Sequence, residues 1–338
     1  MADDPRASTA ARPLAVVALA AALAACGGPA SDHRVVVSNE WAGTVSVIDG
    51  ASLEVVRTIE VGARPRGIQA SPDGLVFVAL SDTDQQAQGD EDAIVAVDVA
   101  SGRVVARYEA GSDPEQFALS SDGRRLYSAN EDAGTASISD RDSRQVLTTL
   151  VVGIEPEGVG ISPDDRWVYV TAETSNTVSV IDTAEERVVS NFLVDPRPRA
   201  AAFCSAAPRA FVTAEIGGTL AVVDTETHRV LGTVDLGDAK PVGIATSADC
   251  REVYVANGHA GSVSVIDPEA LEVVATIPVG KRPWGIALSP DGSRLYAANG
   301  GSDDVSVVDL AARRVIATVP VGERPWGVAV VPAAEVPP

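Results

Sequence analysis

Aromatic residues make up only 4% of this 338-residue chain and methionine occurs once, so a core must be packed from small and β-branched side chains. Three histidines and three cysteines, widely scattered, exclude a Cys/His metal cage. Basic residues are outnumbered 26 to 47, and the net charge of −21 excludes a general affinity for nucleic acid or anionic lipid headgroups. No nucleophile elbow (G-x-S-x-G), Walker loop, H-E-x-x-H or C-x-x-C-H occurs, which excludes attached c-haem and the hydrolases known by those motifs. What is present is 46% hydrophobic residues against 22% charged, enough apolar material for a large folded domain. The 29 glycines and 21 prolines fall at regular intervals, as short elements joined by turns require.

Residues 14–25 form an uninterrupted apolar run of 12, too short for a membrane-spanning helix of about 20 residues and suited to a signal-peptide core. Arg6 and Arg12 precede the run, and Cys26 follows Leu23, Ala24 and Ala25. Small residues before a cysteine resemble a bacterial lipobox, which implies lipidation at Cys26. The expected organisation is a signal peptide (1–25), a tether (26–34), a folded domain (35–332) and a tail (333–338). Such a chain sits on the periplasmic side of a bacterial envelope and touches membrane only through its lipid.

A β-branched segment ending in aspartate recurs seven times, at Asp49, Asp98, Asp140, Asp182, Asp224, Asp267 and Asp309, with spacings of 49, 42, 42, 42, 43 and 42. Prolines 65, 114, 156, 198, 241, 283 and 325 keep the same rhythm, and residues 81–92 account for the one long interval. Each unit reads as four short strands, with Ser-Pro-Asp-Gly (289–292, and eroded elsewhere) supplying a type I turn. No 3.6-residue apolar period persists between turn signals. Four strands every ~42 residues predict a propeller blade, so the chain is all-β, a single seven-bladed β-propeller of antiparallel blades. It starts inside a unit and ends on Trp326-Gly327-Val328-Ala329-Val330-Val331, which predicts that the C-terminal strand completes the N-terminal blade and closes the ring.

The motifs Arg-Pro-x-Gly, Ser-Pro-Asp-Gly and Val-Ser-Val-Ile-Asp, with Tyr169-Val170-Thr171-Ala172 and Tyr254-Val255-Ala256-Asn257, resemble the YVTN family of β-propeller repeat proteins over residues 34–332. Segments that break the consensus, such as Asp113-Pro114-Glu115-Gln116 and Ala214-Glu215-Ile216-Gly217, resemble the propellers associated with PQQ-dependent alcohol catabolism. That narrower resemblance implies a periplasmic setting beside quinoprotein dehydrogenases and transport components, and no particular reaction. YVTN-type blades are also similar to lactonase propellers and to the haem d1 domain of a nitrite reductase.

The loops entering the inner strands should converge at one mouth of the central channel. Their charge changes sign around the circle: Arg64 and Arg66, Asp113 and Glu115, Glu155 and Glu157, Arg197 and Arg199, then Lys240, and Arg282 and Arg324 beside Trp284 and Trp326. Loops after the second strands add Glu40, Glu131, Glu173 and Glu215. Arg282 and Arg324 follow the repeat consensus, whereas Arg66, Glu115, Glu157 and Arg199 stand where other units carry tryptophan. The candidate binding face is therefore Arg64, Arg66, Asp113, Glu115, Glu155, Glu157, Glu173, Arg197, Arg199, Glu215, His259, Trp284 and Trp326. Lateral Arg–Glu pairing between blades is the competing account of the same residues. Cys204 and Cys250 fall in inner turns of adjacent blades on the opposite face, either as a disulfide or as two partly buried thiols. No metal or cofactor is expected: the acidic insertion begins like a calcium loop at Asp82 and Asp84, but Gln86 replaces a ligand.

The first functional reading is a non-enzymatic, monomeric envelope lipoprotein. It would bind an envelope protein (a quinoprotein dehydrogenase or transport component) or a small anionic ligand through the mouth. The second is a lactonase-type propeller hydrolase, with His259 and Glu215 as the nearest acid–base pair. A third, a haem d1-like cofactor holder, would require axial histidines.

Overall fold

A computed structural model describes residues 33–82 and 92–333. Among them are 28 strands in seven four-stranded antiparallel sheets and a single 3₁₀ turn, Gly237–Ala239. Each sheet is one blade. In blade 4 the order from channel to rim is Pro156–Ile161, Trp167–Ala172, Thr177–Asp182 and Arg187–Leu193. Blade 1 takes its innermost strand, Pro325–Pro332, from the end of the chain, beside His33–Asn39 in register Val35 to Val330 and Val37 to Val328. The ring is thereby closed as the repeats predict, and no sheet edge faces the gap between first and last blades. His33 and Arg34, which the sequence reading assigned to the tether, belong to this strand. His33 is buried there with its Nε2 2.7 Å from the Tyr296 hydroxyl of blade 7.

The second and third strands of every blade are buried on both faces, while outer strands such as Gln145–Val151 alternate exposed and half-buried. Sandwiching each blade between two others explains near-continuous runs such as Thr-Val-Ser-Val-Ile-Asp in an antiparallel sheet, where one wet face would impose alternation. The core is consequently a set of layers between blades. One joins Val36, Val45 and Val47 of blade 1 to Val76, Val78 and Val95 of blade 2. Buried valines contribute roughly 1.5–3 kcal/mol each. Aromatics recur at one repeated position of the second strand, where Phe77, Tyr169, Phe211 and Tyr296 are fully buried.

The aspartate that marks each repeat has a local cause. It ends the third strand, and its Oδ1 accepts N–H groups two and three residues on, as Asp49 does from Ala51 (3.0 Å) and Ser52 (2.8 Å) and Asp267 from Glu269 (2.9 Å) and Ala270 (3.0 Å). On the face opposite the mouth, Cys204 of blade 5 and Cys250 of blade 6 are joined by a disulfide, Cα to Cα 5.7 Å. Of the acidic insertion, Asp84 lies outside the described residues, as does Cys26. Asp92 is described, and its carboxylate receives the N–H groups of Asp82 and Asp113, both at 2.9 Å, tying the insertion's base to the channel mouth.

Candidate functional site

Each inner strand begins at a proline, and the residue before it is in the left-handed region: Arg64, Asp113, Glu155, Arg197, Lys240, Arg282 and Arg324, with φ between 37° and 63°. Seven non-glycine residues in that conformation cost roughly 1–2 kcal/mol each relative to ordinary backbone. The turn is repaid by a hydrogen bond, because the carbonyl it exposes accepts the N–H of the residue after the second strand. Arg324 O takes Glu40 N at 2.9 Å, Asp113 O takes Glu131 N at 3.3 Å, and Arg282 O takes Gly300 N at 2.9 Å. In blades 1, 3, 6 and 7 an asparagine ending the second strand fixes that following residue. Asn130 Nδ2 donates to Thr135 Oγ1 (3.1 Å) and Ser137 Oγ (2.8 Å), immediately before Glu131. One residue per blade thus follows the second strand at the mouth: glutamate in blades 1, 3, 4 and 5, Ser81 in blade 2, and glycine at Gly258 and Gly300 in blades 6 and 7.

The mouth is a cavity of about 190 Å³. Of the sequence-derived candidates, Arg64, Arg66, Glu115, Glu173, Arg197, Arg199, Trp284 and Trp326 line it. Asp113, Glu157 and Glu215 stand behind them as ion-pair partners. Glu155 is exposed, with its carboxylate on the Thr174 hydroxyl. His259 is not in the mouth and not with Glu215; it is exposed, with Nδ1 3.0 Å from the Asp238 carbonyl. It borders a separate groove between blades 6 and 7.

The lining charges are mostly consumed by one another, across blades. Arg66 of blade 2, 3% exposed, holds Asp113 at 2.5 Å and also Glu115, both of blade 3. Arg199 of blade 5 holds Glu157 and Glu173 of blade 4 and its own blade's Glu215 (2.6 Å). Arg197 pairs with Glu173 (2.5 Å) and Glu215 (3.4 Å), and Glu40 joins Arg324 (2.9 Å) to Arg64 (3.6 Å). Lateral pairing, the competing account of these residues, is the arrangement present.

Four lining residues were absent from the sequence-derived set: Glu40, Glu131, Arg282 and Arg324. Two of them are the exceptions to the pairing. Among the described residues Glu131 makes no ion pair. Burial first, then the neighbouring Asp113 carboxylate, raise its carboxyl to about 7, although Arg66 opposes the shift. Arg282 also makes no ion pair; its guanidinium lies 5.2 Å from the centre of the Trp284 ring, and Trp284 lies 5.8 Å from Trp326. The signal that distinguishes Arg282 was in the sequence: its own blade carries Gly300 where four others carry glutamate.

Among the described residues, no group of three or more histidine, cysteine, aspartate or glutamate side chains is arranged to hold a metal, and no helix is long and apolar enough to cross a membrane. A haem d1-like group does not fit the mouth. No histidine lines it, and about 190 Å³ is below the ~300–1,000 Å³ of pockets that enclose larger ligands.

A family model for YNCE-like β-propellers matches residues 243–335, and no curated protein matches the chain by sequence. Solved structures match it over nearly its whole length. The periplasmic gluconolactonase of Pseudomonas aeruginosa is 24% identical, with 88% of this chain and 99% of that one covered at a TM-score of 0.73. A Bacteroides fragilis protein described as a 6-phosphogluconolactonase is 18% identical, covering 90% and 99% at 0.73. A dihydro-heme d1 dehydrogenase, NirN, is 18% identical, covering 87% and 74% at 0.65. At these identities the likeness is one of fold. These neighbours nevertheless overturn the non-enzymatic reading, since full-length matches to this propeller carry the names of lactonases. The physical reason is visible in the mouth: most charges assigned to partner binding are spent on ion pairs, and one carboxyl there titrates near neutrality.

Proposed function

We propose that this propeller is a lactonase-type hydrolase acting on a small sugar-derived lactone at the channel mouth. The observation that carries the proposal is Glu131, a carboxyl without an ion-pair partner among the described residues, in the charged cavity of the mouth and poised at about 7. In the ionised form Glu131 takes a proton from a water whose oxygen attacks the lactone carbonyl carbon. The ring C–O bond then breaks, the proton passes to the departing oxygen, and a hydroxy acid is released. Trp284 and Trp326 form an aromatic wall for a sugar-sized ring. About 190 Å³, some six waters by volume, admits one such ring. The names of the gluconolactonase and 6-phosphogluconolactonase neighbours support the reaction class. The narrower resemblance to PQQ-associated propellers is compatible with it, because oxidising a cyclic hemiacetal yields a lactone.

Glucono-1,5-lactone hydrolysis, followed by acid release above the spontaneous rate, tests the proposal. The wild type should be active, and Glu131→Gln should lose about 10²–10⁴-fold in kcat with an unchanged melting temperature. Equal activity in the two proteins rules out Glu131 as the base.

A further inference from the structure

Once the ion pairs of the mouth are assigned, two charges are left over. Six arginines line the cavity and five are engaged by carboxylates; Arg282 is the sixth. Four glutamates line it and three are engaged; Glu131 is the fourth. The two stand on opposite sides of the ring, in blades 7 and 3. Arg282 is unmatched for a structural reason. The backbone position that presents Glu40 to Arg324 in blade 1, and Glu215 to Arg197 in blade 5, is Gly300 in blade 7, hydrogen-bonded to the Arg282 carbonyl in the same way. The guanidinium rests instead against Trp284; burial first, then the nearby Arg324 and Arg199, lower its affinity for a proton, opposed by the Glu215 and Glu40 carboxylates. An arginine fork with no ion-pair partner among the described residues, beside an aromatic face, is a site for a planar anion.

Resting on the hydrolase reading, we infer that Arg282 is a specificity-determining residue that takes a carboxylate on the substrate, across the cavity from Glu131. The class favoured is a lactone or cyclic sugar bearing one carboxylate. A phosphate dianion is disfavoured, because a single guanidinium is unmatched and the other lining cations already hold carboxylates, so a second negative charge would meet Glu40 and Glu173 without compensation.

Binding of three probes that differ only at C6 tests this without relying on turnover: D-glucose, D-glucuronate and D-glucose 6-phosphate, read by quenching of tryptophan fluorescence. The wild type should bind glucuronate at least tenfold more tightly than either of the others. Arg282→Gln should erase that preference. Gly300→Glu, which installs the missing internal partner, should erase it too; its new Cβ meets the Pro325 carbonyl at 3.1 Å, so that backbone must give by a few tenths of an ångström. Melting temperatures of both variants serve as the check on folding. A preference retained in Arg282→Gln, tighter binding of glucose 6-phosphate, or no preference in the wild type overturns the assignment. Failure of the hydrolase reading looks different: no lactone is opened, while glucuronate binding still depends on Arg282.

Discussion

At the scale of single residues, the mouth separates into side chains that hold the structure and side chains left free to act. Arg199 illustrates the first kind. It is 7% exposed and faces three carboxylates, of which Glu157 is 1% exposed. Removing the cation leaves that buried negative charge uncompensated, a situation that costs about 3–5 kcal/mol. Arg199→Gln should therefore lower the melting temperature by about 10 °C, and thermal unfolding followed by circular dichroism checks it. A variant that melts with the wild type would show that the cluster is not a structural tie. The positions of Arg66, Glu115, Glu157 and Arg199 at the mouth were legible in the sequence because they break their own repeat. Their pairing was not, since which neighbour a guanidinium reaches depends on the rotation between blades. Glu131 was legible as a mouth residue but not as a distinctive one. Its shifted carboxyl arises from burial beside Asp113, an environment no local motif encodes.

At the scale of elements, the repeat was readable because each marker has a mechanical job. The aspartate turns the outer hairpin, the proline starts the inner strand, and the Asn before the mouth residue clips to the third strand. The setting of His228, in the turn before Arg229–Asp235, was not legible for the complementary reason. A contact with neighbouring blade 4 decides it: Tyr169 Oη lies 2.8 Å from Nδ1, and the Trp167 ring stands edge-on at 4.7 Å. The Cys204–Cys250 disulfide joins turns of blades 5 and 6 that are 46 residues apart, and opening a loop of that length costs roughly 4 kcal/mol in the chain-entropy account. Cys204→Ser with Cys250→Ser should lower the melting temperature by roughly 5–15 °C and leave lactone turnover below that temperature unaffected, because the bond lies on the face away from the mouth. Loss of turnover in the folded double variant would show that the two faces are coupled.

At the scale of the whole molecule, ring closure by Pro325–Pro332 makes the blades one body and gives the two faces separate roles. The strand His33–Asn39 runs toward the mouth, where Glu40 follows it, so His33 lies at the far face. We propose that Cys26 carries lipid; six residues lie between it and His33, a reach of at most about 25 Å over seven Cα–Cα steps. The mouth would then open away from the membrane, toward a diffusing substrate. Cys26→Ser should move the protein from the membrane fraction to the soluble one, and continued sedimentation with membranes would refute the anchor.

The central claim is that Glu131 performs base chemistry in the mouth, and the pH dependence of kcat/KM for lactone hydrolysis tests it most directly. A base must be ionised to accept a proton, so the rate should be low at pH 5 and rise with pH. It should level off above an inflection near 7, the value to which burial and Asp113 raise this carboxyl. In Glu131→Gln the residual rate, corrected for spontaneous opening, should show no inflection there. A profile with the same inflection in both proteins, or a wild type that never exceeds the spontaneous rate at any pH, would contradict the account.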